Sequence, residues 1–134
     1  PWTHGYINPC DAGIFLAAML LGSKRGGIVG GLSGLLLDLT SGYANYMFFS
    51  LVVHGFEGWL AGWIIERKPD NKYVVASALT VSGIVMVVGY FFSDWIMYSF
   101  ITAWGGILPN IFQGIFGAVV AVLVYPLLKK RLTA

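Results

Sequence analysis

The stretch MFFSLVVHGFEGWLAGWIIE, residues 47–66, is twenty residues long and almost wholly apolar, yet it holds His54 and Glu57 near its middle. At 1.5 Å per residue a helix of this length spans about 30 Å, the thickness of a bilayer core. His54 and Glu57 are three residues apart and share one helical face, which Ser50 and Ala61 extend. Counted from residue 47, they lie about 10 Å and 15 Å deep. An ionised group at that depth costs at least ~2.5 kcal/mol, so such residues face a bundle interior or a wet cavity.

Around this segment the composition is that of a membrane protein. The 134 residues are 57% hydrophobic and 10% charged, with a mean hydropathy of +0.77, against roughly 25% charged residues in a soluble domain. The length suits one unit, residues 1–134, read as a single transmembrane domain. One cysteine, Cys10, excludes an internal disulfide and any multi-cysteine metal site. The formal charge of +2 is too small to suggest nucleic acid as a partner.

The eight Lys and Arg residues fall in three clusters: Lys24 and Arg25; Arg67, Lys68 and Lys72; Lys129, Lys130 and Arg131. Apolar helices are expected between them over about 11–21, 26–39, 47–66, 73–93 and 107–128. The clusters then occupy alternate loops on one side, which the positive-inside rule makes cytoplasmic, as it does the C-terminus. The first residue falls on the opposite side, so a further apolar helix is expected upstream. The expected fold is an all-α integral membrane protein, five helices of a six-helix bundle whose first helix is missing here. The helices over 11–21 and 26–39 are short for a bilayer. Glycines at 26, 30, 34, 58 and 62 suit close helix packing. GGIVGG lacks the Lys-Ser/Thr ending of a phosphate loop.

Six acidic residues are present. Glu66 and Asp70 sit beside bases and read as solvated charges. Asp11 begins a helix, where a carboxylate caps free N–H groups. Asp38 and Asp94 end helices, where a carboxylate opposes the helix dipole and implies a partner, a ligand or solvent. For His54 and Glu57 the choice lies between ligand contact and a helix-joining hydrogen bond. HGFE is not the zincin pattern H-E-x-x-H, so no metal site is expected. Asn110 and Gln113, also three apart, could bind a neutral polar ligand or join helices. Tyr6, Tyr43, Tyr46, Trp95, Tyr98 and Trp104 read as interfacial aromatics, some of them a stacking lid. DWIMYSFITAW, residues 94–104, reads as an interfacial or re-entrant segment. Polar residues in the outer half, an aromatic rim and no ATP motif suit capture of a small molecule.

GYINPCDAGIFLAAMLLGSKRGGIVGGLSGLLLDLTSG, VVHGFEGWLAG and PNIFQGIFGAVV, in this order, resemble the substrate-binding S component of energy-coupling factor (ECF) vitamin transporters. The similarity spans nearly the whole chain. Family members have six helices, the first bearing an alanine-rich docking motif; where the family usually reads Gly-Asp before the second helix, this chain has Cys10-Asp11. The resemblance implies high-affinity capture of a vitamin or vitamin precursor from outside a bacterial cell membrane by a multi-pass protein. It implies a transmembrane T component and two cytoplasmic ATPase subunits as partners, toppling of the S component in the membrane, no cofactor and no enzymatic activity of its own. It places Asn8, Asp38, Tyr43, His54, Glu57, Asp94, Asn110 and Gln113 at the ligand. The ligand expected is pyridoxine or hydroxymethylpyrimidine, with pantothenate as the alternative, because a base-free outer face suits a neutral or weakly basic heteroaromatic. An intramembrane enzyme using His54, Glu57 and Asp38, and a purely structural subunit, are the rival classes.

Overall fold

Two glycines in the left-handed region set the first two bends of the chain. The structure, a computed structural model, describes residues 8–133. Within them run α1 (Cys10–Leu21), α2 (Ser23–Ser41), a short 3-10 turn (Ala44–Tyr46), α3 (Met47–Ile65), α4 (Lys72–Met97) and α5 (Phe100–Thr133). Gly22, at φ +86°, is the whole link between α1 and α2, and Gly42, at φ +84°, ends α2. Both angles favour glycine. Among the described residues there is no strand, and the all-α membrane architecture expected from sequence is what is found. The stretches Ala44–Ile65, Lys72–Met97 and Phe100–Thr133 are long and apolar enough to cross a membrane.

The element boundaries differ from the sequence reading in ways that side-chain caps explain. Residues 94–104 are not re-entrant: α4 continues to Met97 and α5 begins at Phe100. Ser99 makes so short a break workable, its Oγ accepting from the Thr102 N–H at 3.1 Å. Asn71 does the same for α4, accepting from the Tyr73 and Val74 N–H groups at 2.9 and 3.3 Å. Glu66 is not merely solvated. Gly22 has no side chain to cap α2, and Glu66 Oε1 takes the Ser23 N–H at 2.7 Å from across the bundle, with its carboxylate also accepting from Ser23 Oγ. Asp70 is exposed as expected, 3.8 Å from Lys129 Nζ.

These contacts bring all three basic clusters to one end of the bundle. Ser23–Glu66 joins the first to the second, and Asp70–Lys129 joins the second to the third. The 3-10 turn and the α4–α5 break meet at the other end, where Asn45 Nδ2 donates to Tyr98 Oη at 2.8 Å. α1 packs against α2, α3 and α5, and α4 bridges α3 and α5. The apolar core of Phe15, Ala18, Ala61, Ile65, Ala78, Leu79 and Ala121 fills the half nearer the bases. The lipid-facing surface is apolar too, with Val52, Ile84 and Leu123 exposed.

α2 and α3 make the closest seam. A Cβ on Gly26 would stand 2.7 Å from the Gly58 carbonyl oxygen, and a Cβ on Gly62 2.5 Å from Ser23 Cα. On Gly30 it would collide with the His54 carbonyl oxygen. Gly30→Ala should therefore force the helices apart and destabilise by ~1–3 kcal/mol, the usual cost of overpacking. Gly83→Ala, whose Cβ meets nothing within 4 Å, should leave the melting temperature in detergent unchanged or raised. Equal melting temperatures for Gly30→Ala and the parent protein would refute this account of the seam.

Candidate functional site

α3 turns His54 and Glu57 into the bundle near the middle of its length. His54 Nδ1 lies 2.7 Å from Glu57 Oε2, and the two residues are 2% and 0% exposed. α1 brings a second carboxylate to the same place. Asp11 Oδ1 is 3.7 Å from His54 Nδ1 and accepts from Gln113 Nε2 of α5 at 3.0 Å. Gln113 Oε1 in turn accepts from the Asn8 N–H at 3.2 Å, and Asn8 Oδ1 accepts from the Cys10 N–H at 2.8 Å. One hydrogen-bonded cluster thus draws on α1, α3, α5 and the segment before α1.

Asp11 was expected to cap its helix. It does stand in the first turn of α1, but its side chain is fully buried and turned to Gln113 of α5. Asn8 takes a freed N–H at the start of α1, which releases Asp11 to turn inward. Two carboxylate oxygens of the cluster, Asp11 Oδ2 and Glu57 Oε1, are buried and accept no hydrogen bond, as is the Ser82 hydroxyl of α4. Buried polar atoms are normally paired, so the two carboxylate oxygens within one cluster are acceptors that the described side chains leave unmatched.

A second polar layer lies toward the base-free end. Ser50 and Tyr90 hydroxyls are 2.6 Å apart, and the Tyr90 ring stands edge-on to His54 with centroids 5.4 Å apart. Tyr46 donates its hydroxyl to Asp94 Oδ1, and its ring packs 6.5 Å from Tyr90 and 6.1 Å from Tyr98. Asp38 is buried at the end of α2, its carbonyl accepting from the Tyr43 N–H at 2.9 Å. Tyr43 is half-buried beside it.

The structure therefore unites His54, Glu57, Gln113 and Asn8, adds Asp11, and sets Asp38, Tyr43 and Asp94 nearer the base-free end. It separates Asn110 from Gln113. Asn110 is half-buried and lines an apolar groove of about 340 Å³ between α4 and α5, with Gly83, Val87 and Gly114. Trp95 and Trp104 belong to an edge-to-face ring cluster with Phe91 and Phe100 that joins α4 to α5. Tyr6 lies outside the described residues.

Chemically the cluster offers acceptors in excess of donors. Among the described residues, Asp11, His54 and Glu57 each present one ligand-type atom, all within 4.8 Å of one another. Such a set can hold a cation or the N–H edge of an organic molecule. All eight Lys and Arg residues belong to the clusters at the other end, so none competes for these oxygens. Gln113→Leu removes the Nε2 donor to Asp11 and the Oε1 acceptor of Asn8 together. It should lower unfolding stability by ~1–3 kcal/mol, whereas half-exposed Asn110→Leu should stay within ~0.5 kcal/mol. Denaturant titrations of the two variants in detergent check the ranking; the opposite order would contradict the cluster.

Comparison with known proteins identifies the family. Residues 1–130 match the family described as the ECF-type riboflavin transporter, S component. The chain is 42% identical over 120 residues to the thiamine precursor transporter HmpT of Lactococcus lactis subsp. cremoris (strain MG1363), covering 90% of this chain and 68% of that protein. It is 33% identical over 132 residues to an uncharacterized protein in the gap 3′ region of Pyrococcus woesei, covering 98% of this chain and 88% of that one. With a family match over almost its full length, a membrane-spanning helical fold and a buried polar cluster open to small-molecule chemistry, this chain belongs to the S component family of ECF-type transporters and is a multi-pass membrane transport subunit, not an enzyme.

Proposed function

We propose that this S component captures a thiamine precursor of the hydroxymethylpyrimidine class from outside the cell, with residues 1–134 acting as one transmembrane substrate-binding unit. The observation that carries the proposal is the pair of orphan carboxylate oxygens, Asp11 Oδ2 and Glu57 Oε1, buried in the cluster and away from the three basic clusters. An aminopyrimidine presents N–H donors beside ring-nitrogen acceptors. Its donors suit the two carboxylates, and its ring nitrogen suits a donor from His54 or Gln113. The thiamine-precursor relative at 42% identity supports this ring over riboflavin, the vitamin in the family's description. Pyridoxine has fewer N–H donors. Pantothenate brings a carboxylate that would face Asp11 and Glu57 with no Lys or Arg nearby.

In this reading Asp11, His54, Glu57 and Gln113 touch the ligand. Asn8, Asp38, Tyr43 and Asp94 frame the mouth, and Tyr90 supplies a ring face. Asn110 faces a separate groove and stands outside the site. The basic end is cytoplasmic, as is the C-terminus, and the subunit works with a transmembrane T component and two ATPase subunits that drive release inward.

Titration calorimetry with 4-amino-5-hydroxymethyl-2-methylpyrimidine tests the assignment. Glu57→Gln, Asp11→Asn and His54→Phe should each weaken binding by ~1–3 kcal/mol, roughly 5- to 150-fold. Melting curves without ligand distinguish a helix clasp: normal affinity with lowered stability in all three variants would move the site elsewhere. Tighter binding of pantothenate or riboflavin than of the pyrimidine would overturn the ligand class.

Cysteine labelling of intact cells tests orientation. In a Cys10→Ser background an impermeant maleimide should modify Ser41→Cys and spare Thr133→Cys. Labelling of Thr133→Cys alone would invert the topology.

A further inference from the structure

α3 has a second face that the buried cluster does not use. Opposite His54 and Glu57 runs a ladder of exposed rings, Phe56, Trp59 and Trp63, which are 48%, 39% and 41% accessible. Phe56 stacks on Trp59 at 5.6 Å and 24°, and Trp59 on Trp63 at 5.9 Å and 19°. Arg67 completes it, its guanidinium carbon 3.7 Å above the Trp63 ring. A guanidinium stacked on an aromatic face keeps its N–H fork free at the edge, the geometry that takes a phosphate with two hydrogen bonds.

The neighbouring helix adds charge at the same corner. Ser23 is bonded to Glu66, so Lys24 and Arg25, both exposed, begin α2 beside the end of α3. Gly27 packs against the ladder, where a Cβ would stand 3.1 Å from Trp59 Cβ. Lys24 lies one turn nearer the helix start than Gly27, as Trp63 lies one turn beyond Trp59. Beyond the low glycine wall Ile28 and Leu32 are exposed on α2. The result is an apolar trough that ends in cations at the basic end. Glu66, the carboxylate next to Arg67, is turned onto Ser23, and Asp70 lies toward Lys129.

The geometry points to a binding site for an anionic phospholipid of the phosphatidylglycerol class. Its phosphodiester sits on Arg67 with Lys24 or Arg25, and one acyl chain lies along Trp63, Trp59 and Phe56. Plain lipid contact needs neither an indole nor a cation, as α5 shows with Ile115, Phe116, Val119 and Leu123. Trp63, two residues before the end of α3, sets an indole at the depth of the glycerol esters. A guanidinium on top of them selects charge.

Native mass spectrometry of the full-length protein, released from micelles holding equal phosphatidylglycerol and phosphatidylcholine of matched chains, tests this. The parent protein should retain phosphatidylglycerol several-fold over phosphatidylcholine. Arg67→Gln and Trp63→Leu should each cut that preference at least threefold. Arg67→Lys, which keeps charge without the planar fork, should cut it less. Lys129, Lys130 and Arg131, changed together to Gln, should leave it nearly intact. Melting temperatures report folding for each variant, and none of these residues belongs to the vitamin cluster. Equal retention of both lipids by the parent protein overturns the proposal. So does an equal loss in the tail variant, which would mean general surface attraction. Unaltered lipid preference in Arg67→Gln with failed assembly on a T component would mark the ladder as a protein interface and would also overturn it.

Discussion

The approach of α2 to α3 is the constraint on which the rest of the structure depends. Gly26, Gly30 and Gly34 on one helix meet Gly58, the His54 carbonyl and Ser50 on the other, so closely that a methyl group at any of them would collide. Without a hydrophobic driving force between helices in lipid, contact at this range is what holds two of them together. The seam also aims a side chain. A Cβ on Gly34 would stand 2.8 Å from His54 Cδ2 and 2.9 Å from the Ser50 carbonyl oxygen, so the imidazole occupies room that the glycine leaves. α5 makes a matching allowance for Asp11. A Cβ on Gly117 would be 2.5 Å from Asp11 Cβ, and one on Gly114 3.9 Å from Asp11 Oδ2. The glycines read from sequence as packing residues are thus also what admits the polar cluster.

That cluster is expensive, and its composition shows how the expense is reduced. Two carboxylates in a low-dielectric interior are tolerable only with donors close by. Asp11 has Gln113 and the edge of His54; Glu57 has His54. One imidazole and one carboxamide are too few donors for four carboxylate oxygens. A chain selected only for stability would hold such helices together with small residues, as the α2–α3 seam does. Here two acceptors, Asp11 Oδ2 and Glu57 Oε1, are instead left without donors on residues that are 0% exposed, away from the basic clusters.

Much of this was legible in the sequence because lipid imposes a simple rule on it. Long apolar runs between basic clusters gave the helices, and polar residues inside such a run marked His54, Glu57 and Gln113. The failures share a cause, which is that capping was assigned by position along the chain. Asp11 stands at a helix start and reads as a cap, but Asn8 does that work from two residues before Cys10. Glu66 reads as a solvated charge among bases, yet it caps α2 from forty-three residues away. No local pattern announces a cap supplied by another helix. Residues 94–104 looked too apolar for a loop because they are two helix ends. SFIT, with Ser99 bonded to the Thr102 N–H, was the capping signal that would have shown it.

The two halves of the bundle divide their tasks by polarity. Toward the basic end, Phe15, Ala18, Ala61, Ile65, Ala78, Leu79 and Ala121 pack without a polar atom in their side chains. Toward the other end, every helix contributes a buried polar side chain: Asp11, Asp38, His54, Glu57, Asp94 and Gln113. The surface carries the same division: exposed apolar side chains such as Leu32, Val52, Ile84 and Leu123 lie on four different helices, and the cations are confined to one end, so the bundle presents lipid with an apolar flank and water with a charged base.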